Sequence, residues 1–194
     1  MVKTKLFRKE LNIPEDVSVK LEEGPQVIVE GPNGGPITKD FSHIKGFDIK
    51  KEGKKLVFEA YFPRSSTISL ANTIINILKN LIQGVQTNYK YVSKVCYSHF
   101  PCSVEAKPNK EEIHVVNFLG ERAPRVINYD PDLVNVEVEG DDVFLKGSDK
   151  EVLGQTAANL KKICHIRKKD PRIYQDGVYL YKILHGDEIL WQIR

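Results

Sequence analysis

Metal-ligand residue types gather around Cys96-Tyr-Ser-His99-Phe-Pro-Cys102, and Cys164-His165 adds a pair further along. Zinc sites usually draw two ligands from one tight turn, as in Cys-x-x-Cys, and two more from a second such turn. Here Cys96 and His99 fall on opposite faces of an expected strand, and Cys164 belongs to the apolar stripe of an expected helix. They read as core cysteines beside a hydrogen-bonded histidine, with no metal and no cofactor expected. Gly31-Pro-Asn-Gly34-Gly35 has the composition of a phosphate loop, but Pro36-Ile-Thr-Lys39 follows where Lys-Ser/Thr should open a helix. A Gly-x-x-Gly RNA clamp lies between two helices, whereas this segment lies between expected strands. It reads as a turn whose backbone could approach another chain closely. Asp141-Asp142 sits at a hairpin tip without a partnered His or Lys. His43, His99, His114, His165 and His185 are scattered, with no nucleophile beside them and no Gly-x-Ser-x-Gly elbow. The reading is therefore not an enzyme, and no small-molecule substrate is expected.

Charge is the stronger signal. From Asp130 to Glu151 there are eight acids against two lysines; from Lys161 to Arg172 six basic residues (Lys161, Lys162, Arg167, Lys168, Lys169, Arg172) face one acid, Asp170. Such a cluster is a candidate phosphate-binding surface, although Lys and Arg also suit the end of a helix. Pro171 disfavours helical geometry at Asp170, so the cations should splay from a loop. The net charge of +3 alone would say little.

The elements that must position this cluster come from an internal repeat. Once one residue is skipped near Glu23, Val17, Val19, Leu21, Gly24, Val27, Val29 and Gly31 fall opposite Val134, Val136, Val138, Gly140, Val143, Leu145 and Gly147. Each copy reads as a β-hairpin, and the wide spacing suggests two similar domains rather than a solenoid. A helix follows in each half. The first carries Leu70, Ile74, Ile77, Leu78, Leu81 and Val85, with Ser65, Ser66 or Thr67 as cap and Gly84 as stop. The second opens on the capping box Ser148-Asp-Lys-Glu151 and carries Leu153, Thr156, Ala157, Leu160, Ile163 and Cys164. Strands are expected over 37–41, 47–51, 55–61, 89–98, 113–118, 125–128 and 177–181. The fold class is α+β: two similar domains, residues 1–98 and 99–194, each an antiparallel sheet with one helix on a face.

No apolar run approaches the ~20 residues of a membrane span, so no membrane is expected. Lys3, Lys5, Arg8, Lys9 and Glu10 stand where a signal peptide would be apolar, and the three cysteines form no even framework. A reducing, intracellular setting is expected.

Several segments resemble one family in order along nearly the whole chain. They are Gly31-Pro-Asn-Gly34, Asp40-Phe-Ser-His-Ile44, Ile82-Gln-Gly-Val85, Tyr89-Lys-Tyr91, Tyr97-Ser-His-Phe-Pro101, Asn117-Phe-Leu-Gly-Glu121 and Asp170-Pro-Arg-Ile-Tyr-Gln-Asp-Gly-Val-Tyr179. The set resembles the eukaryotic and archaeal branch of the universal large-subunit ribosomal protein six family, protein nine in eukaryotic numbering. The resemblance implies two related α+β domains and a structural role on large-subunit rRNA, near the sarcin–ricin loop and the stalk base. Neighbouring ribosomal proteins are its implied protein partners. It also implies that the C-terminal domain makes the main RNA contact, through Lys168, Lys169, Arg172 and Gly177. Arg122 and Arg125 keep basic character beside the unusual Pro124; Tyr174, Tyr179 and Tyr181 are candidates for stacking on a base, with core packing the alternative for Tyr179 and Tyr181. The alternative is a two-domain protein-interaction module with a basic docking surface; an RNA-modifying enzyme lacks its catalytic set.

Overall fold

A computed structural model describes residues 5–22, 26–167, 169–170 and 172–193. The chain is α+β and divides into two compact units, Met1–Thr87 and Asn88–Arg194. In the first, β1 (Leu6–Asn12), β6 (Lys55–Tyr61) and β5 (Asp48–Glu52) form one antiparallel sheet. β2 (Ser18–Leu21), β3 (Gln26–Gly31) and β4 (Gly34–Asp40) form another, and α1 spans Ser65–Gln86. In the second unit β8 (Ser103–Lys107), β9 (Glu112–Val116) and β10 (Arg125–Asn128) form a sheet in the order β10-β9-β8. A five-stranded sheet runs β11 (Asn135–Glu139), β12 (Asp142–Gly147), β7 (Tyr89–Cys96), β13 (Gly177–His185), β14 (Glu188–Gln192). Its helix, α2, spans Lys150–Ile163.

The duplicated hairpin is visible in register. Val19 pairs with Val29 and Leu21 with Val27, just as Val136 pairs with Leu145 and Val138 with Val143. The strand nearer the helix buries Val27 and Val29 in one copy, Val143 and Leu145 in the other. That strand is the one that packs on α1 or α2. The closing glycines are both crowded. A Cβ on Gly31 would stand 2.7 Å from Val85 Cγ2, and one on Gly147 would run into the backbone oxygen of Leu133. Gly24 and Glu23 lie outside the described residues.

Ala71, Ile74, Leu78, Leu81, Ile82 and Val85 make the buried stripe of α1, at helical spacing, and complete the first core with Phe58, Leu56 and Val19. Leu70, expected in that stripe, is exposed. Gly84 is a buried residue inside the helix rather than its stop; α1 runs on to Gln86 because Gly84 lies on the packed face, where small size is useful. Arg64 holds the N-cap position without a side-chain bond, and the serines lie within the first turns, where Ser69 Oγ donates to Ser65 O. In α2 the cap is Asp149, not Ser148, its carboxylate accepting from Glu151 N at 2.9 Å.

Two further expectations are corrected. The division falls at Thr87/Asn88 rather than 98/99, because β7 pairs with β12 on one side and β13 on the other and so is the middle strand of the second unit. For the same reason the strand returning after a helix is found after α2, as β13, and not after α1 within the first unit's described residues. Tyr89, Tyr91, Val92, Ser93 and Val95 are all buried, as befits a strand covered on both faces.

Candidate nucleic-acid interface

The segment that leaves α2 carries the cations. Lys161 and Lys162 end the helix, Arg167 and Lys169 follow in exposed irregular chain, and Arg172 lies in the next turn. Lys168, like Pro171, lies outside the described residues. Asp170 anchors the turn that follows: its carboxylate accepts from Arg172 N at 2.9 Å while its carbonyl accepts from Ile173 and Tyr174 N–H. This local capping is what Asp favours in turns.

Among the described residues, no ion pair joins Lys161, Lys162, Arg167 or Lys169 to a carboxylate; Arg172 stands 3.8 Å from Asp170. The acids of 130–151 are used locally instead. Glu137 pairs with Lys146 at 2.6 Å, Asp130 accepts from Asp132 N at 3.0 Å, and Asp149 caps α2. In the first unit four cations are paired with acids: Lys50 with Glu59, Lys54 with Glu15, Lys55 with Glu10, and Arg8 with Glu10, Glu52 and Glu59.

Segments far apart in sequence hold this cationic chain in place. Asp176, 3% exposed, accepts from Ser98 N and lies 3.1 Å from His99 Nδ1. Burial alone would raise its pKa; the Ser98 amide and the His99 ring and amide outweigh that and hold it below the usual carboxylate range. His99 stacks on Tyr174 at 4.4 Å between centroids, and the Lys169 ammonium lies 4.3 Å over the same ring. Tyr174 is thus already engaged by two side chains, which removes it as an open stacking surface. Tyr179 donates to Gln175 O at 3.1 Å and its ring lies against Gly177.

Arg125 is bound inside the fold. Its Nε and Nη2 donate to Glu121 at 2.8 and 2.6 Å, and Nη1 donates to Ile163 O at 2.6 Å and His165 O at 3.1 Å. The guanidinium also covers the Phe118 ring at 4.3 Å. Hydrogen bonding to Arg125 lowers the Glu121 pKa. Arg125 therefore neutralises the carbonyl end of α2, which would otherwise repel phosphate. Arg122, by contrast, is exposed. Gly177 is buried at the start of β13, opposite Cys96.

The 117–121 turn completes the frame. Asn117 and Leu119 adopt positive φ, Asn117 Nδ2 donates to Pro101 O at 2.8 Å, and Gly120 lies against Phe100. Between this turn, β10 and the end of α2 lies an open groove of about 1000 Å³, with Val126, Ile127, Ile163 and Ile166 among its lining and Lys162, Arg167 and Lys169 also on its wall. Cys164 and Cys102 are buried, and burial pushes the Cys164 thiol up to about 11, away from the thiolate a metal needs. Among the described residues no three His, Cys, Asp or Glu side chains gather as a metal site.

The family model described as Ribosomal protein L6 matches residues 100–177. The chain is 38% identical over 181 residues to Large ribosomal subunit protein uL6 of Staphylothermus marinus, covering 93% of this chain and 97% of that protein. It is 42% identical over 175 residues to the protein of the same name from Ignicoccus hospitalis, covering 88% and 91%. The chain belongs to the uL6 family.

Membership of the uL6 family makes it a structural ribosomal constituent and not an enzyme. The matched residues 100–177 take in the second hairpin, α2 and the cationic segment. The family-like motifs of this half, 97–101, 117–121 and 170–179, are the segments that bond one another here, so a uL6-like sequence pattern corresponds to one physical assembly. Sequence reasoning found the cations but missed Glu121, Asp176 and His99 as their supports. Their only signal was that each lay within a recognisable motif.

Proposed function

We propose that this chain braces large-subunit rRNA in the cytoplasmic ribosome, with its second unit making the main contact. The observation that carries the reading is the run of cations between α2 and β13 that has no carboxylate partners beyond Asp170 among the described residues. Lys161, Lys162, Arg167, Lys169 and Arg172 neutralise converging phosphates, with the exposed Arg122 assigned to the same role. Arg125 acts from beneath. Such contacts position RNA without reading its sequence. The expected location is rRNA near the sarcin–ricin loop and the stalk base, as the family resemblance implies. Neighbouring proteins of the large subunit are the expected further partners, and the exposed Ile189, Leu190 and Trp191 of edge strand β14 favour such a contact.

The test is the affinity of purified protein for a large-subunit rRNA fragment carrying the sarcin–ricin loop, measured across a salt series. Replacing Lys162, Arg167 and Lys169 with Ala should weaken binding and lower the log–log salt slope by about 2–3, at roughly 0.7–0.9 for each phosphate no longer neutralised. The same treatment of Lys50, Lys54 and Lys55 should leave the slope unchanged. An unaltered slope in the first variant refutes the assignment.

A further inference from the structure

The groove beside the cations has a composition that phosphate binding does not require. A surface that only tracked a phosphate backbone would need charge, yet this one has an apolar floor of Ile163, Ile166 and the solvent-exposed Val126. Asn128 and Asn159 also line it. The Asn159 Oδ1 accepts from Gln155 Nε2 at 2.9 Å, which leaves its NH2 as a donor for a ligand carbonyl. His165 also lines the wall, and Lys162, Arg167 and Lys169 bring positive charge.

Apolar contact, amide groups and adjacent cations are together the requirements of one nucleotide whose base has left its stack. The base needs a dehydrated face and hydrogen-bonding partners on its edge, and the phosphates on either side need Lys or Arg. The helix end beside the groove would oppose the phosphates, but Arg125 occupies the Ile163 and His165 carbonyls and removes that repulsion. Resting on the rRNA-bracing reading above, we infer that this groove receives a single extruded RNA base. Its floor is Val126 and Ile166, its edge partners are Asn128 and Asn159, and Lys162 and Arg167 hold the flanking phosphates. A neighbouring protein's side chain would use the apolar floor but gain little from cations on the wall, so charge favours RNA.

Two hairpin RNAs test this, identical except that one carries a single bulged fluorescent purine analogue and the other is fully paired. The protein should bind the bulged hairpin about tenfold more tightly than the paired one at the same salt, with a change in the analogue's emission. The double substitution Val126→Ser, Asn128→Ala should abolish that preference and leave both the paired-hairpin affinity and its salt slope as they were. The unchanged paired-hairpin affinity also shows that the variant is folded; Asn128→Ala alone, on the exposed side of β10, should give part of the loss. Equal affinity of the unaltered protein for both hairpins overturns the groove while leaving the bracing role intact. Failure to bind either with salt-dependent affinity overturns both. A double variant that keeps its preference for the bulge but loses its place among neighbouring proteins in reconstituted subunits assigns the groove to a protein and overturns the proposal.

Discussion

At the end of α1 the carbonyls of Val85 and Gln86 take hydrogen bonds from Asn33, through its backbone N–H and side-chain amide respectively; at the end of α2 those of Ile163 and His165 take theirs from the Arg125 guanidinium. Both helices have the same need, since the last carbonyls of any helix lack partners. The first unit meets it with a neutral residue from the β3–β4 turn, and no cluster of cations follows. The second uses a full charge held by Glu121, and among the described residues of the chain that follows only Arg172 approaches a carboxylate. A duplicated scaffold has thus kept its hairpin and helix and diverged where the helix ends. The divergence coincides with the surface proposed for rRNA, at the exit of one helix, where an anion can approach only after the helix dipole has been offset.

Substituting the two equivalent glycines should have the largest effect and should separate the copies. Gly147→Ala sets a Cβ against the Leu133 backbone, which cannot turn aside, and should cost about 3 kcal/mol or more in urea unfolding. Gly31→Ala meets buried Val85 less closely, at 2.7 Å from Cγ2 and 3.0 Å from the backbone oxygen, and should cost about 1–3 kcal/mol. Equal losses would mean that the hairpins are seated alike, contrary to the contacts described.

Next in size is the pair of helix-end donors. Arg125→Ala strands Glu121 and two carbonyls and should destabilise the protein by about 2–3 kcal/mol, with rRNA affinity reduced at every salt concentration. Asn33→Ala should cost about 1 kcal/mol and leave rRNA affinity untouched. An Arg125 variant that unfolds earlier yet binds rRNA normally would break the link between the helix end and the cationic segment.

A smaller effect than at Arg125 is expected at Asp176, which has no counterpart in the hairpin repeat. Asp176→Asn should cost about 1–2 kcal/mol at neutral pH by weakening the bonds to Ser98 and His99. Because the folded pKa is depressed, the carboxylate's contribution is present above its unfolded value near 3.9 and is lost as pH falls through the lower folded value. The stability gap between the two proteins should therefore narrow on acidification below about pH 4. A constant gap across a pH series of thermal melts would remove ionisation from the account.

Residue order alone reveals a good part of this. The Val/Gly repeat predicted hairpins whose register proved equivalent, and the cation density located the candidate surface. Other elements were hidden for physical reasons. β1 carries Arg8, Lys9 and Glu10 between its few apolar residues, and becomes a strand only because β6 offers it an edge. β14 is exposed along its whole length, so no inside–outside alternation marks it. The division at residue 87 could not be read from β7, because a strand buried on both faces has no preferred side until its neighbours are known. The site's supports were invisible for the same kind of reason: Asp176 and His99 lie far apart in sequence, and Arg125 takes its role from two carbonyls that only the helix end exposes.

The position of β7 has a consequence for timing. It is the first strand of its unit to be made, yet it lies between β12 and β13, and Cys96 must wait for Gly177. About eighty residues separate those partners, which at usual elongation rates is roughly 4–16 s of synthesis. Asp176, immediately before Gly177, reaches Ser98 and His99 at the same moment. The nascent chain can therefore assemble its first unit while the cationic segment still has no scaffold. A half-made molecule would carry the charges without their arrangement, and the surface proposed for rRNA would be complete only when β13 closes the sheet.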